Sequence, residues 1–508
     1  MAKEESHTLD DAIDKTTFGK FNCIMIVIFG LVLACGFLET SSINMILPIA
    51  QCELNLSNFH KGFLGSVSYI GIILSSHFWG FMADTKGRKK VVVPALILSF
   101  IFTVISTFSK SFWFLALFRF LNGFCICASQ TIIYAFLGEF CSMKHRDRVL
   151  LVSSVIYGMF CLINPLNGIL FLNHEHWNIY IPIIDLNYGT WRIFMLMCGI
   201  PSLLSVIGMI FFIPESPKFT YAQGNEAQTL EILTSIFTYN TGKSADEYEV
   251  KSLIKDQEFL KKDSKSVGFL RFMWSQTTPL FKYPNLKNTM TACYLQFAVC
   301  LAANGFWTFL PETLNKVSIW QEKTDSESST LCQVLSSFDI KSNVTAYIQE
   351  ESLTCVTKLE LSTFTNVTIL LLLHTTILLV ISFLIRKVGK LAIIVTFMFM
   401  CGSSSILLMI VQIPEISIYL YFAMLLVIVN MSVINASTVE LFPTASRAMA
   451  VSISMMAGRI GSFAGSNFVG LSIKNYCSYT WLLPAILLFC GGFLAFTIPN
   501  INRKTIKS

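Results

Sequence analysis

Twelve stretches of the chain are almost wholly apolar and run about 19 to 27 residues each, near 22–48, 62–83, 91–109, 112–138, 149–171, 192–213, 286–311, 364–385, 391–412, 416–439, 448–472 and 479–498. An α-helix needs roughly 20 such residues to cross about 30 Å of hydrocarbon. The pattern therefore predicts an all-α membrane protein with twelve spans. The first apolar run is too long for the apolar core of a signal peptide and follows a polar start, so it is expected to be the first span and not a cleaved leader.

The intervening polar stretches divide the chain. A cytoplasmic N-terminus (1–21) precedes a six-helix half (22–213). A polar central loop (214–285) with short surface helices, among them an amphipathic run from Asn225 to Phe237, leads into a second six-helix half (286–498). That half carries an outer elaboration (312–363), and a cytoplasmic tail (499–508) ends the chain.

Composition agrees. Apolar residues make up 54% and charged residues 13% of the 508 positions, about half the charged share of ordinary soluble domains. The net charge of +6 reflects basic loops, not a compact basic domain, so nucleic acid is not an expected partner; the lipid bilayer is. With the N-terminus inside, 27 of the 37 lysines and arginines fall on inner segments, seven on outer ones and three within spans. Without the two long loops the count is 17 against 3. That bias places both termini in the cytoplasm.

The halves carry matching marks. Glu139 ends span 4 and Arg146 follows by seven; Glu440 ends span 10 and Arg447 follows by seven. Equivalent signals at equivalent helices indicate an internal repeat, a common build for transporters. The inner loop after span 2 reads Gly80-Phe-Met-Ala-Asp84-Thr-Lys-Gly87-Arg88-Lys89-Lys90. Gly80 suits close helix approach. Asp84 suits a bond to a neighbouring helix end or to a basic group, and Gly87 suits a left-handed turn.

Gly80, Asp84, Gly87, Arg88 and Lys89 resemble the signature loop of the major facilitator superfamily. Arg119-Phe-Leu-Asn-Gly123, Trp191-Arg192, Pro201-Ser202 and Pro214-Glu-Ser-Pro217-Lys218 resemble its sugar and organic-ion branches. Asn240-Thr-Gly242-Lys, Asp246-Glu-Tyr-Glu-Val-Lys251 and Thr278-Pro-Leu-Phe281 look most like the synaptic vesicle glycoprotein 2 related group. The resemblance implies two pseudo-symmetric halves that rock about a midplane site. It also implies that the loop around Asp84 and Arg88, with Glu139, Arg146, Glu440 and Arg447, gates the cytoplasmic side. Three departures put coupling and gating in question. Arg386 stands where the second loop often has an acid, Gly36 where span 1 often has one, and Ser142 where a proline is common.

Charges inside spans are few. Each costs roughly 2.5–3.5 kcal/mol at the bilayer centre and so requires a partner or a wet cavity. Glu39 and Arg119 are expected to face the central cavity and interact, either in proton coupling or as a structural pair. Arg192 is expected at the outer interface. Arg459 offers a guanidinium fork for a carboxylate or sulfate; the other reading pairs it with a carbonyl or with Glu39. Gln296 and Asn304 share one face of span 7, with Trp307 nearby, and make up the remaining solute contacts. Gln130, Asn164, Asn430 and Asn435 are further polar positions, and His374 is a relay or a packed histidine.

On the outer side Asn343 and Asn55 sit in N-glycosylation patterns; Asn366 lies too close to span 8. Cys332 and Cys355 could pair there, as could Cys52 and Cys477, with free thiols the alternative. No metal-ligand spacing, phosphate-binding glycine loop or nucleophile with a base appears, so neither an enzyme nor a cofactor is expected. The expected function is secondary transport of a small organic solute, an organic anion by the cavity's charge, facilitated or coupled to protons or another ion, at the plasma membrane or an intracellular vesicle. The rival is a non-transporting vesicle or surface protein acting as a receptor or regulatory partner.

Overall fold

A computed structural model describes residues 7–142, 145–174, 177–254, 277–323, 328–344, 359–442 and 444–497. The C-terminal tail and Cys355 lie outside them. All twelve spans are present as helices. Spans 1 to 4 are Lys20–Ala50, Asn58–Lys86, Arg88–Thr107 and Phe112–Glu139. Span 5 runs from Arg146–Cys161 through Ile163–Asn167 into a π-helical turn, Gly168–Leu172, and span 6 is Thr190–Phe212. Spans 7 to 9 are Asn285–Trp307, Leu361–Val388 and Lys390–Ile410. Span 10 joins Pro414–Leu425 to Asn430–Leu441 through a 3₁₀ turn; spans 11 and 12 are Thr444–Ser472 and Cys477–Ala495.

Among the described residues nine helices are long and apolar enough to cross a membrane alone, or ten if span 7 is joined to the helix beyond its 48° bend. The two that fall short, spans 2 and 11, pack against each other across the halves. Their polar positions serve a protein neighbour instead of lipid, which explains their lower hydropathy.

Loops 2–3 and 8–9 are single glycines. Gly87 and Gly389 sit at φ +108° and +89°, a region that a side chain strains against. Each reverses the chain between adjacent antiparallel helices, and the match between them is the internal repeat in backbone form.

The halves touch most closely at the end of the bundle away from the chain termini, here the far end. A methyl on Gly62 would strike the carbonyl oxygen of Ser466, and Asn467 Nδ2 donates to Ser66 Oγ at 2.9 Å. Phe63 packs edge-on to Phe463. Beyond the bend after span 7, the polar helix Leu310–Lys323 lies on this far end, followed by Leu331–Val344.

Cys332 bonds to Cys477, stapling the second of these helices to the start of span 12. Neither expected pairing forms: Cys332 joins Cys477 and so does not join Cys355, and Cys477 does not join Cys52. Cys52 is itself disulfide-bonded. The reason is spatial. Helix 331–344 packs over spans 9 and 10, beside the 11–12 turn. A two-stranded hairpin, Ile179–Ile181 with Leu186–Tyr188, joins spans 5 and 6 at the far end.

At the termini end, the chain start forms a helix, Leu9–Lys15, capped by Thr8. It docks on the central-loop helix Glu226–Thr241 through a small core of Leu9, Ala12, Ile13, Leu233, Phe237, Tyr248, Val250 and Leu253. The predicted amphipathic run is therefore a helix whose apolar face covers the chain start. Asn240 ties the two together: its amide donates to Thr17 O at 2.8 Å and accepts from Phe21 N at 2.9 Å. Gly242 ends that helix at φ +72°, and Tyr248 Oη donates to Ala12 O. The motif Asn240-Thr-Gly242, read from a resemblance, is thus a clamp on the first span.

Candidate functional site

The loop between spans 2 and 3 is an ionic cluster around Arg88. Its Nη2 lies 3.0 Å from Asp84 Oδ1 and 3.1 Å from Glu139 Oε1. Its Nε also donates to Glu139, and its Nη1 to the Ala83 carbonyl. The guanidinium sits 5.2 Å from the centre of the Phe219 ring. Asp84 does not receive the neighbouring helix end. Glu215 does: its carboxylate accepts from the backbone N–H groups of Arg88 at 2.8 Å, Lys89 at 3.1 Å and Lys90 at 3.4 Å. An anion there satisfies orphan donors of span 3 and meets the positive end of its dipole. Glu215 was not singled out in the sequence, although it stands inside the Pro214-to-Lys218 motif that was.

Lys89 Nζ bonds Ile210 O at 3.1 Å. Gly80 does not make a close helix contact; a methyl there would meet nothing within 4 Å. Glu139 pairs with Arg88 and not with Arg146, whose guanidinium packs over Gly138. In the second half Lys390, which follows Gly389 as Arg88 follows Gly87, ion-pairs with Glu440 and bonds Ala436 O at 3.2 Å. Each half thus closes its own loop on its own span-4 or span-10 acid, and among the described residues neither ion pair reaches the other half.

Deep in the first half, Glu39 and Arg119 meet at 3.5 Å and are both fully buried. Their interaction was expected, but they do not face a central cavity. Glu39 Oε2 accepts from Thr103 Oγ1 at 2.6 Å and Asn122 Nδ2 at 3.2 Å, and Gly199 of span 6 lies against its other oxygen. Arg119 donates to Ser106 Oγ at 3.0 Å and to Glu39 O at 3.2 Å. Spans 3, 4 and 6 supply these partners, so the pair lies inside the half. Ser99, Thr103 and Ser106, spaced i, i+4, i+7, make one buried polar stripe on span 3; that spacing was visible in the sequence and names the face toward which the charges turn.

Arg192, in the first turn of span 6 at the far end, is buried against protein. It grips Glu53 with two bonds of 2.8 and 2.6 Å, and Trp191 Nε1 donates to the same carboxylate at 2.7 Å.

The second half holds amides. Gln296 Nε2 donates to Asn435 Oδ1 at 3.2 Å, and Asn304 Nδ2 to Ser462 Oγ at 2.9 Å. Spans 7 and 11 come close enough for this through glycines: a methyl on Gly461 would strike Phe297 O, and one on Gly465 would strike Leu301 O. Trp307 meets Phe37 of span 1 edge-on across the seam between the halves. Arg459, on span 11, lies within charge reach of Cys127 of span 4 and of Tyr69 and His77 of span 2. No carboxylate pairs with it among the described residues, and it is 9% exposed. At Gly36 the Gln130 side chain fills the space a side chain would need, so an amide stands where an acid is common.

The model of the Major Facilitator Superfamily matches residues 29–321, more than half of the chain. The chain belongs to the Major Facilitator Superfamily. Among curated proteins it is similar to synaptic vesicle glycoprotein 2B of Mus musculus, 24% identical over 329 residues, covering 61% of this chain and 48% of that protein. It is likewise similar to synaptic vesicle glycoprotein 2C of Rattus norvegicus, 23% identical over 326 residues, covering 59% and 44%. The aligned segment thus spans about half the length of these relatives. Among solved structures, the inward open xylose transporter of E. coli aligns with a TM-score of 0.65 at 15% identity over 94% of this chain and 96% of that one. A D-xylose-proton symporter aligns at 0.60 and 14%, over 94% and 98%. These likenesses show the twelve-helix facilitator fold.

Within that family fold, the glycosylation positions fall at the far end. Asn55 is exposed in the turn after span 1. Asn343 is in helix Leu331–Val344, and its side chain lies outside the described residues.

Proposed function

We propose that the protein is a secondary transporter of a small organic anion, working by alternating access of its two halves across a membrane, with both termini cytoplasmic and the far end facing outward. The observation that carries the anion reading is Arg459. It belongs to span 11 of the second half, lies within charge reach of Cys127 and Tyr69 of the first, and no carboxylate neutralises it among the described residues. A buried cation without an acid partner favours an anionic visitor. Asn304 and Trp307 are partly exposed at the same seam and supply a polar and an aromatic contact; Gln296, fully buried, orders the wall behind them.

Glu39 and Arg119 act mainly as internal braces of the first half, because the side chains of Thr103, Asn122 and Ser106 already hydrogen-bond them. Coupling to protons or another ion is the finer proposal on Glu39. An uptake pH profile that is unchanged in Glu39→Gln removes it. The Arg88 cluster with Lys89, Glu139 and Arg146, and its counterpart with Lys390, Glu440 and Arg447, set the geometry of the cytoplasmic loops. Glycosylation at Asn55 and Asn343 fits the outward side.

The second reading is a non-transporting receptor or regulatory partner. Helices 310–323 and 331–344, the second stapled to span 12 by Cys332–Cys477, give it a structured outer surface. Uptake of radiolabelled organic anions, cations and sugars into proteoliposomes separates the two. Saturable anion uptake supports transport; no uptake of any solute by folded protein supports the second reading.

A further inference from the structure

Lys61 lies in the first turn of span 2 and is 1% exposed, yet it carries an ammonium group. Its Nζ bonds Glu312 Oε2 at 2.7 Å, across the seam, in the first turn of helix 310–323. The other Glu312 oxygen is 3.1 Å from Lys316. Among the described residues this is the ion pair that joins the two halves; every other described ion pair of the bundle closes within its own half. It sits beside the closest far-end contacts, where Asn467 bonds Ser66 and a methyl on Gly65 would strike Thr308.

We propose that Lys61 and Glu312 form the latch that holds the far end shut. The inference rests on the alternating-access reading, and it concerns which residues set the balance between the two faces. In the shut state both charges are stripped of most water and depend on each other. When the far end parts, water enters and each is solvated separately. Removing Glu312 leaves Lys61 buried and unpaired, and removing Lys61 leaves Glu312 with Lys316 alone, in each case only in the shut state, so the equilibrium moves toward the open one.

The test is the rate of oxidative cross-linking in a Ser66→Cys/Asn467→Cys background of the full chain in membranes, since these positions touch only when the far end is shut. Lys61→Gln and Glu312→Gln should each slow cross-linking about tenfold, the effect of a population shift near 1.4 kcal/mol. The exchange Lys61→Glu with Glu312→Lys, made with Lys316→Gln so that no second cation faces position 312, should restore the parental rate. Glu312→Asp keeps the charge but draws it back by one methylene, so it should show a smaller slowing even if the neutral variants do not reach the membrane. Parental rates in the single variants, or in Glu312→Asp alone where only it can be read, overturn the latch. So does failure of the exchange to restore. The readout needs no substrate, so its failure is separate from failure of the uptake experiment.

Discussion

The two halves share a backbone plan and differ in how they handle polarity. Both turn on one positive-φ glycine, Gly87 or Gly389, and both set the next basic residue on a helix-ending acid. The first half then invests in charge. It buries Glu39 with Arg119, pairs the buried Arg192 with the exposed Glu53, and caps span 3 with Glu215. The second half uses amides and hydroxyls on spans 7, 10 and 11 and brings Arg459 to the seam, with no carboxylate paired to it among the described residues. Charge that is paired inside one half braces it; charge left unpaired at the seam is available to a solute. The comparison therefore separates rigid parts from working parts.

The largest effect should come from breaking the internal brace. Arg119→Ala strands a fully buried carboxylate and should destabilise the protein by about 3–5 kcal/mol. Gln296→Ala, on span 7 of the second half, removes one neutral bond and should cost about 1–3 kcal/mol. Thermal unfolding of the purified protein in detergent, or loss of folded yield, ranks the two. Equal effects would erase the distinction between the halves.

Glu215→Ala should come next, at about 1–2 kcal/mol, since it strips charge-assisted bonds from three backbone donors. Lys390→Ala removes a partly exposed pair and should cost less than about 1 kcal/mol. Gly87→Ala sits between them. Besides the left-handed strain, its methyl would come within 2.5 Å of the Glu215 carboxylate. Gly87→Ala in a Glu215→Ala background should therefore cost less than it does alone, and a simple sum of the two would contradict that contact.

Much of this plan was legible in the chain. Twelve apolar runs and the paired Glu-to-Arg spacing carry the two-half plan, and the loop from Gly80 to Lys90 carries the family resemblance. The Ser99–Thr103–Ser106 stripe was equally legible and points to where Glu39 turns, but a charge in a span invites the assumption of a cavity. Contacts between segments far apart in sequence were not legible. Glu53 reaches Arg192 across 139 residues, Lys61 reaches Glu312 across 251, and the Cys332–Cys477 staple depends on which far-end turns adjoin. No local spacing encodes such meetings. The helix at 9–15 was hidden for a related reason: seven residues are too few for a periodic pattern to stand out, and its apolar face is explained only by its dock on 226–241.

The smallest expected effect is one of pH. Burial alone would raise the Glu312 carboxyl, but Lys61 and Lys316 outweigh it and hold it at about 2; Lys474 lines the same small cleft. A depressed carboxyl contributes its full stability above the ordinary value near 4.5 and loses it only as pH falls through about 2. Far-end cross-linking should thus be the same at about pH 7.5 and 5.5. A titration between those values would place another group in control.

The central claim is that the seam of this facilitator carries an anion on Arg459. Its most direct test is uptake of a radiolabelled organic-anion panel by proteoliposomes containing the parental chain or Arg459→Ala, with protein-free vesicles as baseline. Saturable uptake by the parent, reduced at least about tenfold in Arg459→Ala while the folded yield is preserved, is the predicted result. Anion uptake retained in Arg459→Ala, or uptake confined to cations or neutral sugars, would contradict it.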